Sequence, residues 1–301
     1  PRASARRPPT PTPADARAMT DAAAAPPPAD ATLSTCLLRE PPVPVGNISP
    51  AGLDAIARHQ YKSGDYTHLD NFLNPAWQFL TDRLPLWLAP NAVTALGFAH
   101  CALAYGVLWW HSPDFDAAVP GWTLVLAGWC TAAYYTLDCM DGKQARRTGS
   151  SSPLGQLFDH GVDCLCTVFF ISTVATYLRL GGTPWFGLYQ APVQFLFFLA
   201  QWEEYHTHVL PHCTGKWLGV SETNYALALL AVINGCVDCA AVYERPLGRV
   251  WAPYLSNNVL ERVPAAVLAL ELRHGLLCGW FGLALVLAAL SVRRTLRHPR
   301  L

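Results

Sequence analysis

The sequence predicts an all-α fold, a polytopic bundle of membrane helices. Three observations carry that expectation. Only 14% of the 301 residues are Asp, Glu, Lys or Arg, against roughly 25% in a typical soluble domain. Aromatic residues are abundant, with 11 Trp, 11 Tyr and 12 Phe. Apolar segments of low charge then recur along the chain, each close to the roughly 20 residues that a bilayer requires. The formal net charge is zero, so nothing points to a nucleic-acid partner held by bulk charge.

Taken in order, residues 1–48 are rich in Pro, Ala and Arg and predict a disordered N-terminal segment. Its acidic Asp15, Asp21 and Asp30 argue against a transit peptide. Residues 49–90 predict an interfacial amphipathic region, with Trp77 and Trp87 among apolar residues at helical spacing. Residues 91–292 form the transmembrane domain, with six spans at about 92–111, 121–138, 160–180, 185–205, 222–243 and 272–292. The amphiphilic stretch 245–271 lies along the surface or re-enters, and residues 293–301 form a basic cytosolic tail. The chain starts with Pro and stops just after a basic run, as expected of a C-terminally truncated piece.

Basic residues near span ends set the orientation. Lys143, Arg146 and Arg147 follow span two, and Arg293, Arg294, Arg297 and Arg300 follow span six. An even number of spans separates these clusters from each other and from the N-terminus, so all three face the cytosol. Arg245, Arg249 and Arg262 fall on the far side and oppose this reading. The topology also brings Asp138, Asp159, Glu203 and Glu222 to one face, where they could share a cavity. Most cysteines sit inside apolar runs and read as buried free thiols. Cys236 and Cys239 form a lone CxxC, too few ligands for structural zinc.

The chemistry concentrates in "LDCMDGKQARRTGSSSPLGQLFDHGVDCL", residues 137–165. Asp138 and Asp141 are spaced i,i+3, on one face of a helix end. Gly155, Asp159 and Asp163 follow at i, i+4, i+8, one stripe along the next helix. Two such helices facing each other would crowd four carboxylates into one small volume. That is costly at a membrane edge unless cations compensate them. Hard divalent cations bound by oxygen, Mg²⁺ or its relatives, are the natural solution. Two of them about 3.5–4 Å apart suit displacement at phosphorus. Gly142 lets backbone approach a phosphate, Ala145 and Gly155 let helices pack closely, and Lys143 and Arg146 clamp a diphosphate. A pore or salt-bridge network is a poor alternative, since interposed small residues do not build ion pairs.

The spacing D-x2-D-G-x2-A-R-x8-G-x3-D-x3-D, here Asp138, Asp141, Gly142, Ala145, Arg146, Gly155, Asp159 and Asp163, resembles the signature of the CDP-alcohol phosphotransferase family. "DGKQARRT", "SSSPLG", "LFDHG", "LPLWLAPNAVTALG" (84–97) and "WEEYHTH" (202–208) resemble its eukaryotic choline/ethanolamine branch more narrowly. The likeness runs from about residue 50 to 245 and thins beyond. Family members usually carry about ten spans, with the catalytic core in the first six.

The resemblance implies transfer of phosphocholine or phosphoethanolamine from CDP-choline or CDP-ethanolamine to diacylglycerol, leaving CMP. It implies that Asp138, Asp141, Asp159 and Asp163 hold two Mg²⁺ or Mn²⁺ ions, and that the glycine and arginine of the motif hold the CDP part. It implies His160 as the base for the diacylglycerol hydroxyl, with Glu222 orienting it or accepting from it; Glu203 and Glu204 compete for that place. It implies an endoplasmic reticulum or Golgi membrane protein with a cytosolic active site, and a homodimer is one expected assembly. Asn91, after Pro90, either contacts the nucleotide or caps a helix. Glu204, His208 and His212 have zinc-like i,i+4 spacing, but Pro211 breaks the helix, so the histidines read as surface groups near lipid headgroups. Two other readings stay open: a synthase that uses CDP-diacylglycerol as donor, and a non-catalytic membrane scaffold.

Overall fold

Proline punctuates the chain where helices begin. It costs nothing at a first turn, where its missing N–H has no partner to lose. In a computed structural model that describes residues 48–59 and 61–298, Pro90, Pro153 and Pro184 each start a long helix. The expected disordered segment lies, except for Ile48, outside the described residues, and so does the end of the basic tail.

Helix α1 spans Pro50–Arg58 and α2 spans His68–Thr81. A capping box starts α2: Thr67 accepts from the Asp70 N–H, and Asp70 accepts from the Thr67 N–H. The long helices follow as α3 (Pro90–His111), α4 (Gly121–Thr148), α5 (Pro153–Leu178) and α6 (Pro184–Thr207). A two-stranded antiparallel turn, β1 (Cys213–Thr214) with β2 (Leu218–Gly219), pairs Cys213 with Gly219. Then come α7 (Val220–Cys236), the short α8 (Ala240–Tyr243), α9 (Leu247–Trp251), α10 (Asn257–Leu260) and α11 (Ala265–Ala269), and the long α12 (Leu272–Leu296).

The all-α expectation holds, and helices stand at all six expected span positions. Among the described residues α3, α5 and α12 are long and apolar enough to cross a membrane. The expected limits of the other elements shift for local reasons. Helix α4 runs on to Thr148 and stops where Gly149 turns left-handed (φ 66°), with Ser150 N–H bonded to the Ala145 carbonyl. Helix α5 starts earlier than expected because Ser152 caps Gly155 and Pro153 opens the first turn. Helix α7 is only 17 residues long, ending as Val237 becomes extended. Residues 245–271, read as surface or re-entrant, form short turns closed by Leu247 N–H to Leu270 O and Leu272 N–H to Arg245 O.

Packing puts α4 at the centre, against α3 and α7, with α3 also on α5 and α6 on α12. Glycines set the α4–α7 approach: a Cβ on Gly128 would lie 2.5 Å from the Ala228 carbonyl. One core gathers Leu108, Cys130, Ile171, Ala175 and Leu180; a second gathers Trp77, Cys101, Tyr134, Tyr135 and Cys166. The cysteines among the described residues are free thiols, as expected; Cys101, Cys130 and Cys166 are buried, but Cys164, Cys236 and Cys278, also expected to be buried, lie exposed on outward helix faces.

Candidate functional site

The site forms where the last turns of α4 meet the first turns of α5. Asp138 and Asp141 project from α4, and Asp159 and Asp163 from α5. One oxygen each from Asp138, Asp141 and Asp159 lies within 4.8 Å of the others, and Asp163 is near enough to act on Asp138 electrostatically. The i,i+3 pair on α4 thus meets Asp159 of α5 in one cluster of three carboxylates, with Asp163 beside it and not within it.

Hydroxyl groups flank this cluster. Thr94 on α3 donates to Asp141 Oδ2 at 2.5 Å, and Tyr134, one turn before Asp138 on α4, donates to Asp163 Oδ1. Asp159 Oδ1 is buried with no hydrogen-bond partner. Two of the neighbouring cations are engaged elsewhere. Lys143 Nζ bonds Asn74 Oδ1 at 2.5 Å, and Arg147 Nη1 bonds the carbonyls of Thr81 and Leu84 at the end of α2. An all-oxygen set, one of whose buried atoms lacks a partner, fits a hard divalent cation.

The expected substrate-binding residues rim the cluster. A Cβ built on Gly142 would lie 3.6 Å from Arg146 Nη1, so this guanidinium lies beside the bare backbone. A Cβ on Gly155 would lie 3.7 Å from Asn91 Oδ1. Asn91 is exposed and does not cap α3, whose N-cap is Ala89. Ala145 is half-buried in the last turns of α4, and Lys143 reaches across to Asn74 of α2. Gln144 between them is fully buried and donates to the Pro85 and Leu88 carbonyls, fixing the loop before α3.

His160 is half-buried near Asp163, its ring edge-on to Tyr61 at 6.4 Å. Glu222 stands in the first turn of α7, with Oε2 buried and without a partner, and no hydrogen bond joins it to His160. Glu203 does not share the cavity. It turns to α12, accepting from Ser291 at 2.6 Å and pairing with Arg294 at 2.7 Å. Glu204 accepts from Gln156 at 2.7 Å, and Gln156 contacts His59 at 2.8 Å.

Sequence reasoning missed Thr94, Tyr134, Tyr61 and His212. His212 is no free surface group: its Nε2 is 2.9 Å from the Tyr61 hydroxyl, and its ring stacks on Tyr66. Burial pushes His212 below the usual histidine range. Burial, then Tyr66, Glu204 and the aspartates, hold the Tyr61 phenol well above its ordinary value. A protonated Tyr61 and a neutral His212 therefore share this hydrogen bond. The zinc-like Glu204–His208–His212 spacing is broken as expected, since α6 ends at Thr207 and His208 turns left-handed.

Residues 87–242 match the family described as CDP-alcohol phosphatidyltransferase, and the chain belongs to it. Its relatives include cholinephosphotransferase 1 of Gallus gallus, 38% identical over 62% of this chain and 55% of the relative. Ethanolaminephosphotransferase 1 of Mus musculus is 36% identical over 65% of this chain and 51% of the relative. Choline/ethanolaminephosphotransferase 2 of Arabidopsis thaliana is 32% identical over 73% of this chain and 57% of the relative. The chain spans about half the length of the curated relatives it matches.

Proposed function

We propose that this protein transfers phosphocholine or phosphoethanolamine from its CDP-alcohol to diacylglycerol, forming phosphatidylcholine or phosphatidylethanolamine and CMP. The observation that carries the reading is the aspartate cluster between α4 and α5, set in a chain whose relatives are named choline- and ethanolaminephosphotransferases. Asp138, Asp141, Asp159 and Asp163 would hold two Mg²⁺ or Mn²⁺ ions. Bound cations of this kind neutralise charge on a diphosphate and on its leaving phosphate. Gly142, with Arg146 beside it, accepts the CDP diphosphate; Ala145, Gly155 and Asn91 shape the mouth beside it. Lys143 joins this clamp by exchanging its bond to Asn74 for phosphate. His160 takes the proton of the diacylglycerol hydroxyl as its oxygen attacks the phosphorus bearing the amino alcohol, and Glu222 orients the imidazole. The site faces the cytosol from an endoplasmic reticulum or Golgi membrane, and the protein acts as a homodimer. Residues 91–292 are the catalytic membrane domain, and α2 with its neighbours lies at the interface.

The test supplies membranes containing the chain with diacylglycerol and either radiolabelled CDP-choline or CDP-ethanolamine. Labelled phospholipid should form with Mg²⁺ or Mn²⁺ and vanish on chelation. Ca²⁺, which prefers longer bonds and more ligands, should not replace them. Phospholipid formation that survives exhaustive chelation would sink the reading. Activity with CDP-diacylglycerol and a soluble alcohol instead would move it to the other synthase class.

A further inference from the structure

Two of the four aspartates are already held by neutral hydroxyl donors. Thr94 comes from α3 and commits Asp141 Oδ2; Tyr134 comes from α4 and commits Asp163 Oδ1. Neither donor is a free rotor. Thr94 is 4% exposed and Tyr134 is 4% exposed. The Tyr134 ring lies 5.3 Å from Phe170 of α5, and a Cβ on Gly97 of α3 would touch its Cδ2 at 3.3 Å. The ring is thus packed between α3 and α5, with its hydroxyl on Asp163. We propose that Thr94 and Tyr134 are positioning residues that make Asp141 and Asp163 single-oxygen ligands and so bias the site toward a small cation over Ca²⁺.

The argument is one of lone pairs and size. A carboxylate chelates a cation through both oxygens only when both are free to turn toward it. Ca²⁺ gathers six to eight oxygens, often through such chelation, whereas Mg²⁺ takes six at shorter range, commonly one oxygen per carboxylate. A hydroxyl that fixes one oxygen of each aspartate lowers the number of donors available and sets the direction of the other. Outer-shell partners of this kind typically change metal affinity by roughly 10–100-fold when removed. The inference rests on the cation reading above.

Mn²⁺ binding to the full chain in lipid nanodiscs, followed by electron paramagnetic resonance, tests it without any turnover. Tyr134→Phe removes only the hydroxyl and should weaken Mn²⁺ binding roughly 10-fold. It should also let Ca²⁺ displace Mn²⁺ at a several-fold lower ratio. Thr94→Val, which keeps the shape, should do the same, and Thr94→Ser, which keeps the donor, should bind as the unmodified chain does. Unchanged affinity and unchanged Ca²⁺ competition in Tyr134→Phe and Thr94→Val overturn the proposal, as does a Thr94→Ser loss equal to that of Thr94→Val. Should Tyr134→Phe fail to fold, the Thr94 pair decides alone. No saturable Mn²⁺ binding by the unmodified chain instead overturns the cation reading itself.

Discussion

One oxygen of Asp159 is buried without a partner, beside the oxygens of Asp138 and Asp141. Asp159→Asn should therefore act in two directions. Turnover should fall below a few per cent, because the amide no longer attracts a cation. The chain melted in chelator should become more heat-resistant, by about 2–4 °C for each kcal/mol of repulsion relieved. A lower melting point in chelator would make Asp159 a structural group instead. For the proposed base, His160→Ala should lower kcat by roughly 10²–10⁴ with little change in donor binding. Glu222→Gln should lower it less, and the double variant should cost much less than the product of the two. Independent effects in that cycle would separate Glu222 from His160, which share no hydrogen bond in the structure. The four aspartates were legible because helical spacing alone puts them on facing stripes. Thr94 and Tyr134 were not. A hydroxyl in an apolar helix usually returns its proton to the carbonyl one turn back. Thr131 and Thr136 do so, at 2.9 and 2.7 Å. Thr94 also lies 3.3 Å from the Pro90 carbonyl one turn back, and only the packing of α3 on α4 supplies its shorter contact to Asp141.

Between elements, α4 and α7 approach closely where Gly128 meets Ala228 and Val232. A Cβ there would lie 2.5 Å from the Ala228 carbonyl and 2.7 Å from Val232 Cγ2. Gly128→Ala should thus destabilise by about 1–3 kcal/mol, read as a fall in detergent melting temperature. Gly106→Ala is the control, since a Cβ there meets nothing within 4 Å. An equal effect at both positions would show that glycine flexibility, not the α4–α7 contact, is what matters. The presence of helices at the six expected positions was legible from run length, although only α3, α5 and α12 are long and apolar enough to cross a membrane. Their limits were not, because caps decide them: Gly149 lets α4 run to Thr148, and Ser152 starts α5 at Pro153. Nor did the charge pattern tell the basic residues apart. Arg147, read only as a marker of the cytosolic face, closes the open carbonyls of α2.

Across the molecule, Glu203 and Arg294 tie α6 to α12, far apart in the chain. The two ends of this pair are unequal: the Glu203 side chain is 7% exposed and that of Arg294 is 42% exposed. Removing Arg294 strands a buried carboxylate, whereas removing Glu203 leaves a cation that water can reach. Arg294→Met should therefore cost more, toward the low end of about 3–5 kcal/mol, than Glu203→Gln. Combining the two should recover most of that loss in the melting curve. Equal single effects would point to lost packing between the helices instead. The length of α4 has a consequence of another kind. Its 28 residues, at about 1.5 Å each, reach about 42 Å, beyond the roughly 30 Å of a hydrocarbon layer. Asp138 and Asp141 stand about 26 and 30 Å along it. On the proposed function, a helix of this length starting at one face would deliver its carboxylates to the opposite boundary between oil and water. There the soluble donor would arrive through three dimensions and the lipid acceptor by sliding in two. The rate should then follow the mole fraction of acceptor within the sheet of lipid. Diluting the acceptor with inert phospholipid should slow the reaction, while adding more vesicles of the same composition should leave each protein's turnover unchanged.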